Sequence, residues 1–277
     1  MTRLSASALD RAATCPASLA LPQARTITEQ GNLGTAIHRF LERLQQIGRD
    51  DALSEIENEE HRAACAKLEL DGLPLGGLAA EVAFAFDVAT GNAREIGRSL
   101  GRTYGQLLPT EIAGAVDVVG VGPDHVYVAD WKSGWADVTA ARESRQIQFG
   151  AVCAAQVYGK SRAIAEVIRT RPGVEPFTSR ASFDGFQLAL LSGELRDVWA
   201  AVEEKRRQVS AGQTPSVAEG AHCRYCPAIH ACPAKVALAR ALGAPAEIRG
   251  PEDIVGAITP QTAAAAYDRL SAIEVVC

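Results

Sequence analysis

Aromatic side chains are scarce in this 277-residue chain, at 5%, which argues against a surface that stacks many bases along an extended nucleic-acid strand. No apolar run approaches the roughly 20 residues that a membrane-spanning helix needs. The N-terminus, MTRLSASALDRAATCPAS, lacks the apolar stretch of a secretory leader, so a cytoplasmic address is expected. Basic residues are not in excess either. A formal net charge of −5 argues against a broad, nonspecific nucleic-acid coat, though it leaves room for a local basic groove. Internal repeats are lacking, as is any low-complexity segment beyond a general richness in alanine.

What is present suits a soluble globular protein: 47% hydrophobic and 22% charged residues, with length enough for one large domain or a domain plus a small appendage. The seven cysteines do not resemble a secreted disulfide scaffold. Three crowd into CRYCPAIHACP, and such spacing in a cytosolic chain favours metal over disulfide.

A helix is expected from Ser7, where Ser7-Ala8-Leu9-Asp10 has capping-box spacing, to Cys15-Pro16. A stronger one runs from Gly34 to about Ile47, with Ile37, Leu41 and Leu44 on one stripe and His38 beside it. A further helix is expected over Asp50–Leu70. The period then changes: Ala80–Val88, Ile112–Val121 and His125–Trp131 read as strands. Arg142–Tyr158 reads as a helix, Ala163–Arg169 as a strand and Asp184–Ala211 as a long amphipathic helix. The segment from Pro260 reads as a helix that meets no stop signal at Cys277, so the natural chain is expected to continue. This order implies an α/β (α+β) fold with a central mixed sheet flanked by helices.

The acidic residues of GAVDVVGVGPDHVYVADWKSG, residues 114–134, carry the chemical argument. A hairpin closing at Gly122-Pro123-Asp124-His125 sets Val121 opposite Val126, Val119 opposite Val128 and Asp117 opposite Asp130. Opposed residues share a sheet face, and Lys132, two beyond Asp130, shares it too. Two carboxylates so close repel unless a hard cation such as Mg²⁺ or Mn²⁺ compensates them. Such an ion can polarise a phosphoryl oxygen and acidify water, with Lys132 orienting that water or stabilising charge on phosphate. A lone D-x-K is more often a solvated pair, but here both acids interrupt apolar strands at matching positions. Glu81 is either another carboxylate of the group or a strand-edge charge.

Cys223, Cys226 and Cys232 form C-x2-C-x5-C in a segment rich in turn formers. The fourth ligand is not local by necessity. His222 or His230 would complete a zinc site, and Cys15, in the other cysteine-proline pair, would complete a four-cysteine iron–sulfur site. Spacing does not choose between them.

In order, Ser5-Ala6-Ser7, Cys15-Pro16, Gly34-Thr35-Ala36-Ile37-His38, Gly114-Ala115-Val116-Asp117, Asp130-Trp131-Lys132-Ser133-Gly134, the glutamine helix and the three late cysteines resemble the RecB-like PD-(D/E)xK exonucleases that carry an iron–sulfur cluster. That group includes AddB-type repair nucleases and related prokaryotic and phage proteins. The resemblance implies a restriction-endonuclease-like core and a DNA nuclease that processes single strands or duplex ends, with a protein partner from a repair or recombination complex and no membrane. It implies His38, Asp117 and Asp130 as metal ligands, joined by the Trp131 carbonyl, with Lys132 and Gln146 catalytic. It implies a [4Fe–4S] cluster on Cys15, Cys223, Cys226 and Cys232. The family's glutamine is usually followed four residues later by tyrosine, whereas this chain has Gly150. Gln148 offers another alignment, and Phe149 or Tyr158 another aromatic. Arg142 and Arg145 are candidate phosphate contacts. The expected organisation is a nuclease core over 1–212, helical to about 70, a cysteine cluster over 213–240 closing onto Cys15, and a helical extension over 241–277. The competing reading is a non-catalytic DNA-end or partner-binding scaffold, against which the complete Asp117/Asp130/Lys132 set argues.

Overall fold

The computed structural model describes residues 3–24, 29–75, 78–101, 103–134, 138–241 and 259, so the expected helix from Pro260 to Cys277 lies outside the described residues. Two compact units divide the chain. One comprises Ser5–Ser7 and Ile27–Arg196, the other Met1–Leu4, Ala8–Thr26 and Asp197–Cys277.

The first unit is built on a mixed six-stranded sheet flanked by helices, the expected class. Its strands are β1 (Ala79–Asp87), β2 (Asn92–Arg98), β3 (Glu111–Val121), β4 (Val126–Lys132), β5 (Ala163–Arg171) and β6 (Val174–Phe183), in the spatial order β2-β1-β3-β4-β5-β6. All neighbours are antiparallel except β4 and β5. A parallel pair needs a crossover, and α5 (Arg145–Val157) supplies it. Strands β1, β3, β4 and β5 read clearly because their side chains are buried. The edge strands β2 and β6 carry no strand signal in the sequence: NAREIGR is largely wet, and seven residues at the start of β6 are not buried, so neither shows apolar alternation.

Helices α2 (Glu29–Ile47), α3 (Arg49–Ser54) and α4 (Glu59–Ala66) precede the sheet. The stripe of α2 delivers Ile37, Phe40 and Leu41 to a core with Val118, Ala129, Trp131 and Ile168. The helix expected over 50–70 is broken in two, because the Asn58 carboxamide accepts the His61 N–H at 2.9 Å and so starts a new helix. Helix α6 (Gly185–Ser210) begins on a reciprocal cap, Gln187 N–H to Asp184 Oδ1 at 2.9 Å and Asp184 N–H to Gln187 Oε1 at 3.0 Å.

The second unit includes α1 (Leu9–Thr14). The capping box expected at Ser7 does not form: Ala8 is the N-cap, with no side-chain cap, and Ser7 Oγ lies 3.2 Å from Ser5 Oγ. Two short 3-10 turns over Ala221–Tyr225 and Ile229–Ala231 carry the late cysteines into α7 (Pro233–Ala241). Among the described residues no helix is long and apolar enough to cross a membrane.

Gly150 is explained by packing. A Cβ there would stand 2.7 Å from Val116 Cγ2, so α5 approaches β3 too closely for any side chain, the family's tyrosine included. By contrast, a Cβ on Gly193 in α6 meets open space. Gly150→Leu is expected to lose roughly 1–3 kcal/mol by overpacking, whereas Gly193→Ala gains roughly 0.5–1 kcal/mol from helix propensity. Urea denaturation midpoints at constant m-value check both signs.

Candidate active site

The β3–β4 hairpin has the expected register from Val121↔Val126 through Val119↔Val128 to Val118↔Ala129, where its recorded pairing stops, one step short of Asp117. There the side chain replaces the ladder: the Trp131 N–H donates to Asp117 Oδ2 at 2.6 Å. The opposite flank is irregular too. The β1–β3 pairs Ala80↔Val118 and Val82↔Val116 bracket Glu81 and Asp117 without including them. Glu81 has φ of 47°, a left-handed backbone that costs a glutamate about 1–2 kcal/mol. It is held by the Ser99 N–H on its carbonyl at 3.0 Å. Strict alternation would put Val116 and Val118 on one sheet face. Yet Val118 joins the α2 core while Val116 lies against Gly150 of α5, so the sheet changes face at the Glu81–Asp117 step.

Around this step the site assembles. His38 Nδ1 of α2 lies 3.2 Å from Asp117 Oδ1. Gly34, one turn earlier, admits this approach, since a Cβ there would stand 3.1 Å from Ser133 Oγ just past β4. Ligand atoms of His38, Glu81 and Asp117 all fall within 4.8 Å of one another. Beside them, Lys132 Nζ pairs with Asp130 Oδ2 at 2.6 Å and donates to Gln146 Oε1 at 2.7 Å. The Gln146 Nε2 donates to Asp130 Oδ1, also at 2.7 Å. Thus Asp130 is engaged by Lys132 and Gln146, and Glu81, which the hairpin argument left open, joins His38 and Asp117. Its sequence signal was a single acid at the head of a buried strand.

The other candidates sit elsewhere. Gln148 is buried and donates to the Arg142 carbonyl at 2.6 Å, so Gln146 is the glutamine at the site. Phe149 is wholly buried in the core, and the Tyr158 hydroxyl donates to Glu95 at 2.7 Å. Arg142 lies over the Phe183 ring at 6.0 Å, and Arg145 pairs with Glu194 at 3.5 Å.

The charges are unevenly satisfied. Burial opposes the charged forms of Asp117 and His38, but their mutual attraction and hydrogen bond outweigh it, lowering the first and raising the second. Burial raises Asp130 despite Lys132, with Asp117 adding to the rise. Burial and the neighbouring Asp117 push Glu81 up to about 7. Two carboxylates, Asp130 buried and Glu81 partly buried, thus resist ionisation without a cation, and a hard divalent ion among His38, Glu81 and Asp117 suits this donor set.

In the second unit, Cys15, Cys223, Cys226 and Cys232 line one small cavity, together with His222. None is in a disulfide. Burial raises the Cys226 thiol against the opposing pull of the Ala228 backbone N–H and of Arg11. Among the described residues, no three of these sulfurs lie within 4.8 Å of one another. His230 does not line the cavity.

Glu81 tests the electrostatics. Its folded value, about 7, lies above its ordinary 4.5, so its ionisation opposes folding. The cost is absent below about pH 4.5, grows through the interval and is complete above about pH 7. In chelator, Glu81→Gln is expected to stabilise the protein by roughly 1–3 kcal/mol at pH 8.5, and by much less at pH 5. Urea unfolding at the two pH values measures the difference, and a pH-independent effect would contradict it.

No curated protein matches the chain. A sequence profile of the PD-(D/E)XK nuclease superfamily matches residues 3–233, a span that includes the histidine helix, both acidic strands, the lysine and all four cavity cysteines. With that match over most of its length, the chain belongs to the PD-(D/E)XK nuclease superfamily.

Proposed function

We propose that this chain is a metal-dependent deoxyribonuclease that hydrolyses phosphodiester bonds at DNA ends, in the manner of the RecB-like exonucleases. The observation that carries the proposal is the convergence, within one unit, of His38, Glu81 and Asp117 beside the Asp130–Lys132–Gln146 triplet. His38, Glu81 and Asp117, with Asp130 adjacent, would hold Mg²⁺ or Mn²⁺. When bound, the ion supplies polarisation of a phosphoryl oxygen and acidification of water at the site.

The protein groups have distinct tasks. Asp117 is oriented by the Trp131 N–H on one oxygen and His38 on the other, so its geometry is set before any ligand arrives. Gln146 bridges Asp130 and Lys132, holding the ammonium against free rotation. The Lys132 side chain remains about one-third exposed, which leaves its charge available to a phosphate oxygen. Placed there, the ammonium stabilises negative charge as phosphorus is attacked, held in position by Asp130 Oδ2 at 2.6 Å and Gln146 Oε1 at 2.7 Å.

The second part of the proposal concerns the cysteine cavity. Tetrahedral zinc, with Zn–S near 2.3 Å, would bring sulfurs to about 3.8 Å of each other. No three of the four sulfurs lie within 4.8 Å of one another. A [4Fe–4S] cluster, whose own body separates its thiolates, fits that spread better. Its role is structural: it ties Cys15 to partners roughly two hundred residues later, a closure with a large entropic cost.

With labelled single- and double-stranded DNA, Mg²⁺- or Mn²⁺-dependent cleavage is expected to fall at least about a hundredfold in Lys132→Ala and in Asp117→Asn. Undiminished cleavage by Lys132→Ala would place the chemistry elsewhere or in a contaminant. Anaerobically purified protein is expected to be brown, with iron and acid-labile sulfide lost in Cys15→Ser. A colourless wild type with stoichiometric zinc would reassign the cavity.

A further inference from the structure

Three registered residues cross the sheet beside the site. Lys132 on β4 pairs with Arg169 on β5, and Arg169 pairs with Phe177 on β6. Laterally paired residues point to the same face, so the three side chains form one row, its ends about 10 Å apart across two strand spacings. The contact agrees with the register: the Arg169 guanidinium lies over the Phe177 ring, 5.3 Å from its centroid. Phe177 is 55% exposed; Phe186 and Tyr225 are more exposed, but neither is in the row with Lys132.

Arg169 also differs from the two arginines that the sequence brings forward. Arg145 pairs with Glu194, and Arg142, also without an ion pair among the described residues, lies over Phe183, a ring that is buried where Phe177 is exposed. Arg169 has no ion pair among the described residues, and its recorded partner is the Phe177 ring. A cation with no carboxylate partner among the described residues, resting on an exposed ring, can serve one nucleotide: the guanidinium meets a phosphate and the ring meets a base face.

We infer that Arg169 and Phe177 form a nucleotide subsite in register with Lys132, where a base unpaired from the strand being cut stacks on Phe177 while Arg169 contacts its phosphate. This rests on the nuclease reading and narrows its substrate to DNA with an unpaired end. A strand whose scissile phosphate lies at Lys132 reaches Phe177 with its next one or two nucleotides, about 10 Å along the row. A single ring suffices for this task, which accords with the scarcity of aromatics. Base stacking is sequence-tolerant, so the subsite selects for an unpaired nucleotide and not for a particular base.

The test measures anisotropy of a labelled single-stranded oligonucleotide binding to the full-length protein in chelator, at fixed salt, with a series carrying one abasic position each. Wild type is expected to lose about tenfold or more in affinity when the abasic nucleotide falls at one particular position. Phe177→Ala should bind the unmodified strand about tenfold more weakly, and should be indifferent to the abasic series. Phe177→Trp should keep wild-type affinity, and Phe177→Leu, which retains apolar bulk without a flat ring, should behave as the alanine variant does. Arg169→Gln should lower the slope of log affinity against log salt by about one contact. Because Phe177 is largely exposed, these variants should melt near the wild-type temperature.

Wild-type affinity in Phe177→Ala overturns the subsite, as does persistence of its abasic sensitivity. So does a change of oligomeric state on size-exclusion chromatography without a change in DNA affinity, which would assign the β6 edge to a second copy of the chain. Cleavage in Mg²⁺ separates this inference from its foundation. If wild type and Phe177→Ala cut equally well and bind alike, the subsite falls and the nuclease stands. If wild type shows the abasic signature but never cuts, the subsite stands and the nuclease reading falls.

Discussion

The hydrogen bond from the Trp131 N–H to the Asp117 carboxylate sets the rest of the site. A buried carboxylate is costly unless donors surround it, and a sheet interior offers donors only where its ladder is interrupted. At Asp117 the side chain takes the amide that a β3 carbonyl would otherwise claim. The strands stop pairing there, and the carboxylate's second oxygen is left for His38. An aspartate in a regular, fully paired strand would have met neither partner.

That interruption has consequences on both flanks. Glu81 adopts a left-handed backbone opposite Asp117, and the strand faces exchange, so that Val116 looks toward α5 and Val118 toward α2. Backbone strain of this kind persists only where surrounding structure over-determines it. Here the helices do so by close approach: Gly150 lets α5 rest on Val116, and Gly34 lets α2 reach Ser133. Both glycines set heights, and the heights place Gln146 over Lys132 and His38 over Asp117. The electrostatic counterpart is a pair of carboxylates, Glu81 and Asp130, that the folded protein holds reluctant to ionise. Such a cluster is unfavourable by itself and becomes favourable with a divalent cation, which is the arrangement expected of a metal-dependent member of this superfamily.

The cysteine cavity follows a different logic. Its four thiols come from two segments far apart in sequence, and all four belong to the unit without the sheet. Short 3-10 turns, each stopped by a cysteine-proline step, present the late cysteines without a long helix or strand to support them. A loop so built has little buried apolar area of its own, so a ligand that cross-links it would supply the cohesion that packing does not.

Much of this was legible in the residues alone. The central strands announced themselves because both faces are buried, and Gly122-Pro123-Asp124-His125 with its flanking valines sufficed for the hairpin register as far as Val118↔Ala129. The candidate residues His38, Asp117, Asp130, Lys132 and Gln146 were all nameable from local pattern and resemblance. Hidden were the edge strands, whose exposure erases alternation, and the break at Asn58, where one side-chain bond outranks helical periodicity. Hidden too was the role of Glu81, since nothing local distinguishes an acid in a left-handed kink from one at a strand edge. Local sequence determines which faces are apolar and where turns fall, because those depend on neighbours two to four residues away. Only the tertiary structure could decide that the ladder yields at Asp117, that Gly150 is a packing requirement and that Arg169 and Phe177 stand in line with Lys132, because each depends on which strand or helix lies beside it.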